Sequence, residues 1–145
     1  MEERIIGLDF GSKTVGVAVT DPLMLTALGV ETIRREKPTK LRRTLARIES
    51  LMTQYGAVKI VLGYPRCMDG TEGDRCAATL AFKEMLEKRL HTEVVLWDER
   101  LTTVEAYQIM SENGTPMQKQ RECVDEVAAV LILQDYMNAQ KRIRP

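Results

Sequence analysis

Three acids in this chain of 145 residues stand where an acid is costly. Asp9 interrupts the apolar run Arg4-Ile5-Ile6-Gly7-Leu8-Asp9-Phe10. A carboxylate in a buried strand must be paired, hydrogen-bonded or metal-bound. The plainer alternative is a turn cap serving Gly11 and Ser12. Glu99 follows Val94-Val95-Leu96-Trp97-Asp98, at the carboxyl end of a strand that the element order makes parallel. Ligand sites of open α/β sheets lie at such ends. Asp98 competes with it for any role there, and pairing with Arg100 would explain Glu99 as a solvated loop acid. Asp125 shares a helix face with Ala128, Ala129 and Ile132, at i+3, i+4 and i+7. The helix dipole favours an acid in a first turn, but that does not explain why this one faces the apolar side. Glu105 is set aside, because a capping box with Thr102 accounts for it.

Carboxylates converging from three elements, with no His or Cys among them, form an oxygen donor set suited to Mg²⁺ or Mn²⁺. A pair of such ions roughly 3.5–4 Å apart is the standard clamp for in-line phosphodiester cleavage. One lowers the pKa of the attacking water and the other stabilises the leaving oxygen. The cations also relieve the mutual repulsion of clustered carboxylates. The stretch from Gly63 to Gly73 follows a strand and precedes a helix. Backbone N–H groups at a helix start favour phosphate, although turn geometry explains these glycines equally well.

The basic residues are unevenly spread. Arg34, Arg35, Lys37, Lys40, Arg42, Arg43 and Arg47 lie in one short stretch with a single acid, Glu36. Helical spacing puts Lys40, Arg43 and Arg47 on one face, opposite Leu41, Leu45 and Ile48. Lys141, Arg142 and Arg144 add a basic tail. Most charge runs are solvated faces; the functional reading is contact with phosphates. Aromatic residues make up only 5%, so backbone or shape reading is favoured over base stacking. The formal net charge is zero, which argues against loose binding through overall charge. It is an average over an inward acidic set and a basic surface.

The elements that must position these residues follow from pattern. Strands are expected over 4–10, Thr14–Val19 and Ala27–Ile33, the first two joined by a tight turn. A helix opens at Pro38-Thr39 and stops at Gly56. A short strand over Val58–Leu62, a helix over 76–90 and a strand over Glu93–Trp97 come next. The capping box starts a helix ending near Asn113-Gly114, and the last helix spans about Arg121 to Ala139. Later strands can join the sheet only in parallel, through right-handed crossovers. The expected fold is one α/β domain over 1–145: a mixed five-stranded sheet, three antiparallel strands then two parallel, flanked by helices.

Composition excludes several classes. At 44% hydrophobic and 29% charged residues, the chain is ordinary globular protein, neither disordered nor of low complexity. The start, Met1-Glu2-Glu3-Arg4, does not read as a signal peptide. The longest apolar run, Val127 to Leu133, is far short of the ~18 residues of a membrane span. Cys67, Cys76 and Cys123 form no disulfide framework, and the single His91 excludes a His-rich zinc site. The expectation is a cytoplasmic protein with reduced thiols and no membrane partner.

Four motifs in order then carry a resemblance that spans nearly the whole chain. They are Asp9-Phe10-Gly11-Ser12-Lys13 with Gly16-Val17-Ala18; Gly63 to Gly73 around Asp69-Gly70-Thr71-Glu72; Asp98-Glu99-Arg100-Leu101-Thr102-Thr103 with Ala106; and Asp125 with Ala128-Ala129, Ile132-Leu133 and Tyr136. Together they resemble the YqgF/RuvX family, which has an RNase H-like fold related to RuvC-type Holliday-junction resolvases. The resemblance implies a cytoplasmic nuclease acting on the 5′ end of the pre-16S rRNA precursor, with Mg²⁺ or Mn²⁺ as a pair of ions. It implies Asp9, Glu99 and Asp125 as the acidic metal-binding set. Lys13, Arg100 and the Asp69-Gly70-Thr71 loop become substrate-side positions, beside Lys40, Arg43 and Arg47 of the basic stretch. Cys67 stands where the family usually has Asn, and Glu122 and Cys123 where basic residues are common. Those departures bear on phosphate contacts and leave the acidic set intact.

Three other readings share these residues. A nuclease of DNA four-way junctions would use the same metal chemistry. A ribosome-assembly module that only binds RNA would keep the fold without activity. Asp9-x-Gly11 with Ala18 also resembles the first phosphate motif of sugar-kinase and actin-like ATPases. Those close two such domains around ATP, and this chain supplies one.

Overall fold

The structure is a computed structural model that describes residues 4–11, 13–37, 39–64, 74–98, 112, 114 and 117–143. Five strands form one sheet: β1 (Arg4–Phe10), β2 (Thr14–Thr20), β3 (Ala27–Arg34), β4 (Ala57–Tyr64) and β5 (Glu93–Asp98). Their order across the sheet is β3-β2-β1-β4-β5. β1, β2 and β3 pair antiparallel, whereas β4 joins β1 and β5 joins β4 in parallel. This is the mixed α/β sheet that the sequence pattern implies. The helices among the described residues are α1 (Arg42–Tyr55), α2 (Asp74–Leu90) and α3 (Met117–Ile143). The helix expected from the capping box lies outside the described residues.

Side-chain alternation splits the core into two layers. Ile6, Leu8 and Phe10 of β1 meet Leu45, Ile48, Leu51, Phe82 and Leu86 of α1 and α2 on one face. Phe10 stacks on Phe82 with ring centroids 4.2 Å apart. Ala18 and Val61 meet Ala129, Ile132, Leu133, Tyr136 and Met137 of α3 on the other face. Gly7 lies between Ala18 and Val61 in register. A Cβ at Gly7 would come 2.7 Å from Leu133 Cβ and 3.2 Å from the Ala129 carbonyl oxygen. The absence of a side chain there sets how closely α3 approaches the sheet.

Several boundaries differ from the sequence reading. α1 begins at Arg42, after an uncapped Leu41, because turns take the preceding backbone. Lys40 N–H donates to the Lys37 carbonyl and Leu41 N–H to that of Thr39. Lys40 therefore sits in the approach to α1 and not on its face with Arg43 and Arg47. Gly56 ends the helix in the left-handed conformation, φ 65°, as its type suggests. β4 extends beyond Val58–Leu62 because it has a partner on each side. α3 is longer than expected at both ends.

The β2–β3 hairpin is built around Asp21. Its Oδ1 accepts N–H bonds from Leu25 at 2.6 Å and Thr26 at 2.8 Å, and Oδ2 one from Leu23 at 3.4 Å. Asp21 N–H donates to the Thr26 carbonyl. Met24 takes up φ 58°, a conformation that L-residues with side chains rarely adopt. Gln134 of α3 fastens the far side, its Oε1 accepting from Thr26 Oγ1 and Ala27 N–H.

Two predictions follow from these contacts. Gly7→Ala is expected to destabilise the protein by about 1–3 kcal/mol through overpacking, read as a lower urea midpoint at unchanged slope. The amides of Thr26 and then of Leu25 and Leu23 hold the Asp21 carboxyl below its ordinary pKa of 3.8, against the opposing effect of burial. Such a group stabilises the fold above its unfolded pKa and loses that effect as pH falls through the folded value. Wild type should therefore exceed Asp21→Asn in melting temperature at neutral pH. The gap should close as pH drops below 3.8.

Candidate active site

Asp9 is 3% exposed and lies in the last turn of register before β1 ends. It shares its face with Gly7, and so with α3. It is engaged by a polar or electrostatic contact within the chain. Its neighbour on β2 is Gly16, which pairs in turn with Thr32 on β3. On the other side, Leu8 pairs with Leu62 and β4 continues to Tyr64, beside Asp98 of β5. The parallel strands β1, β4 and β5 thus all end where Asp9 lies, at the edge where α/β sheets hold ligands.

The direction of α3 decides which of its residues reach that edge. Along β3, Gln134 stands against Ala27 and Glu126 against Gly29. Moving toward the end of the strand is therefore moving back along the helix. Ala129 and Leu133 cross β1 at Gly7. Position 125 is one helical turn before Ala129, about 6 Å along the axis. Asp9 is two strand residues beyond Gly7, about 7 Å. The two steps match, so position 125 belongs to the same end of the sheet as Asp9. Trp97 of β5 fixes the helix laterally: its Nε1–H donates to Asp135 Oδ2 at 2.7 Å, and its ring meets Tyr136 edge-on.

Glu99, Arg100, Asp69, Gly70 and Thr71 lie outside the described residues, and Asp125 is described only by its place in α3. Among the described residues no group of three His, Cys, Asp or Glu side chains could hold a metal ion.

The turn after Asp9 is tightly held. Gly11 N–H donates to the Thr14 carbonyl at 2.7 Å, and a Cβ on Gly11 would meet Thr14 Oγ1 at 2.9 Å. Arg35, the residue after β3, secures it: its Nη2 donates to the Gly11 carbonyl at 2.6 Å, and its guanidinium lies 5.0 Å from the Phe10 ring centre. Its own N–H donates to the Lys13 carbonyl at 2.9 Å. Burial pulls the Arg35 pKa below its ordinary value. Arg35 is therefore a structural cation, while the Lys13 side chain stays exposed.

The basic residues divide by their contacts. Arg47 makes a bidentate pair with Glu31, at 2.6 and 3.0 Å, tying α1 to β3. Lys40 and Arg43 are exposed near the start of α1. That start lies at the Asp9 end of the sheet, because β3 ends there beside Thr14.

One polar group escaped sequence reading. Thr32 Oγ1 is buried, on the row that contains Asp9 and Gly16, without a hydrogen-bond partner among the described residues. A threonine in a β-rich strand gives no signal of this; only the register reveals it.

The chain belongs to the RuvX family: that family's model, described as Holliday junction resolvase, matches residues 3–139. Membership sets it among nucleases. A relative from Agathobacter rectalis, named "Putative pre-16S rRNA nuclease", is 56% identical over 135 residues, covering 93% of this chain and 94% of that one. A relative of the same name from Lachnospira eligens is 50% identical over 139 residues, covering 96% and 99%. Among solved structures, Thermus thermophilus RuvC in complex with a Holliday junction substrate aligns with TM-score 0.61 at 13% identity, over 98% of each chain. The fowlpox virus Holliday junction resolvase aligns with TM-score 0.57 at 15% identity, over 94% of this chain and 99% of that one. The fold is therefore RNase H-like, of the RuvC kind.

Thr32→Val removes the unpartnered hydroxyl at nearly constant shape. If packing alone involves this side chain, stability should be unchanged or higher, since an unsatisfied buried donor is costly. A fall in melting temperature would instead reveal a hydrogen bond to a group beyond those described.

Proposed function

We propose that this protein is a divalent-metal-dependent endonuclease that processes the 5′ end of pre-16S rRNA in the cytoplasm, on free precursor or on ribosomal precursor particles. The observation that carries this reading is the burial of Asp9 at the common end of β1, β4 and β5. It is supported by relatives of 56% and 50% identity that bear the pre-16S rRNA name. One RNase H-like domain over 1–145 contains the whole site. No helix among the described residues is long and apolar enough to cross a membrane.

Asp9, Glu99 and Asp125 would hold the metal. Carboxylate oxygens suit Mg²⁺ or Mn²⁺, and a buried strand carboxylate at a ligand-binding edge gains most from a cation. When bound, a pair of such ions supplies water activation and stabilisation of the leaving oxygen. The chain's own residues position the substrate. Lys13, Lys40 and Arg43 contact phosphates, together with Arg100 and the Asp69-Gly70-Thr71 loop. Arg47 is left out of that set because Glu31 engages it.

A DNA four-way junction is the second reading, favoured by the description of the family model. The RuvC alignment, at 13% identity, adds fold and not substrate.

Purified protein should cleave a precursor rRNA fragment only with Mn²⁺ or Mg²⁺. Asp9→Asn should lower the rate by roughly 10²-fold or more, beyond the usual cost of losing an outer-shell contact. It should also lose the thermal shift that Mn²⁺ gives the wild type. Equal cleavage by both proteins would sink the catalytic assignment. RNA binding without cleavage by the wild type would favour an assembly module. Preferential cutting of a four-way DNA junction would favour the second reading.

A further inference from the structure

Asp9 is one residue short of the end of β1, and the strand is held unevenly there. The antiparallel ladder with β2 continues through Asp9–Gly16 to Phe10–Val15. The parallel ladder with β4 runs from Arg4–Ala57 only to Leu8–Leu62. Among the described residues, strand pairing therefore constrains β1 from one side once Asp9 is reached. Gly11, two residues on, has no side chain with which to anchor the chain. It has little room for one, since a Cβ would come 2.9 Å from Thr14 Oγ1.

Arg35 adds the constraint that pairing does not. Its Nη2 donates to the Gly11 carbonyl at 2.6 Å. Its guanidinium lies over the Phe10 ring, 5.0 Å from the centre, and that ring stacks on Phe82 of α2 at 4.2 Å. A planar guanidinium can donate in its plane while its face covers an aromatic ring, which an ammonium cannot do. Asp9 and Phe10 point to opposite faces of the sheet. A grip on the Phe10 ring and the Gly11 carbonyl is thus a grip on the backbone that aims the Asp9 carboxylate at the α3 face.

The same residue touches the other side of the turn through a different group. The Arg35 main-chain N–H donates to the Lys13 carbonyl at 2.9 Å. A change of side chain leaves that bond in place. The Asp9 side of the turn depends on the guanidinium, and the Lys13 side on main chain alone.

We propose that Arg35 is a positioning residue for the metal site: through Phe10 and Gly11 it fixes the Asp9 carboxylate for a divalent cation, without itself touching metal or substrate. The proposal rests on the nuclease reading above. Charge alone would act with the opposite sign. A guanidinium at this end of the molecule repels a cation, so its removal would tighten metal binding. Loss of a group that orients a ligand weakens it instead.

Titration of Mn²⁺ into wild type, Arg35→Gln and Arg35→Lys tests this, beside binding of a precursor rRNA fragment in EDTA. Arg35→Gln should weaken Mn²⁺ binding roughly 10-fold or more. Arg35→Lys should fall between, because its ammonium can still donate to the Gly11 carbonyl but has no face for Phe10. RNA affinity in EDTA should be unchanged in both, since the Lys13 tie is main chain. In cleavage assays kcat should fall with KM for RNA unchanged. Mn²⁺ binding that is equal or tighter in Arg35→Gln overturns the proposal. So does a parallel loss of Mn²⁺ and metal-free RNA binding, which marks a general loosening of the turn. Should Arg35→Gln not fold, Arg35→Lys decides alone, and wild-type Mn²⁺ affinity in it overturns the proposal. Wild-type Mn²⁺ binding that does not respond to Asp9→Asn removes the nuclease reading and this one together. Binding that needs Asp9 but ignores Arg35 removes this one alone.

Discussion

The close crossing of α3 over β1 governs everything built on this sheet. The helix rests where Gly7 offers no side chain, with Ala18 and Val61 to either side. Interiors packed at crystal density do not absorb an extra methyl without movement. Any shift of α3 at this crossing would shift position 125 relative to Asp9, since both are counted from the same contact. Fixed geometry between residues on different elements is what the proposed metal-dependent site requires. The second contact, Trp97 with Asp135 and Tyr136, keeps the helix from swinging about the first.

Much of this was readable in the sequence for a physical reason. The strands show a period of two or a continuous apolar run, and α1 shows the stripe Leu45, Ile48, Leu51, Met52 that packs in the core. The order of strands and crossovers left few topologies, and the right-handed rule chose among them. Asp9 stood out because a lone acid in an apolar run conflicts with burial. What could not be read depended on pairing across the sheet. The helical pattern starts α1 too early, because propensity is blind to the turn bonds of Lys40 and Leu41. Arg47 looked like a free cation until β3 brought Glu31 beside it. Thr32 became notable only when register put it on the Asp9 row. Glu99 and Asp125 stand out by pattern alone: Glu99 lies outside the described residues, and Asp125 is described only by its place in α3.

Equal numbers of acids and bases conceal a division of labour among the cations. Arg35 and Arg47 are engaged by the fold itself, one clamping the β1–β2 turn and the other joining α1 to β3. An exposed ion pair such as Arg47–Glu31 adds little stability by itself. Its effect is to tie α1 to β3 and to neutralise a strand acid. Lys13, Lys40 and Arg43 remain exposed at the same end. A count of charges along the chain cannot distinguish these roles, but contacts can.

The helices share a polarity that amounts to a field. α1 starts where β3 ends and α2 follows the end of β4, so both begin at the Asp9 edge, while α3 runs back against β1 and starts about 12 Å before the level of Asp9. Each brings a partial positive charge of about half a unit at its first turn. The backbone itself thus makes one pole of the molecule attractive to anions and the other to cations. That pole needs no lysine, survives surface substitution and is insensitive to pH. A molecule with zero formal charge is in this sense a dipole, oriented before it touches a polyanion.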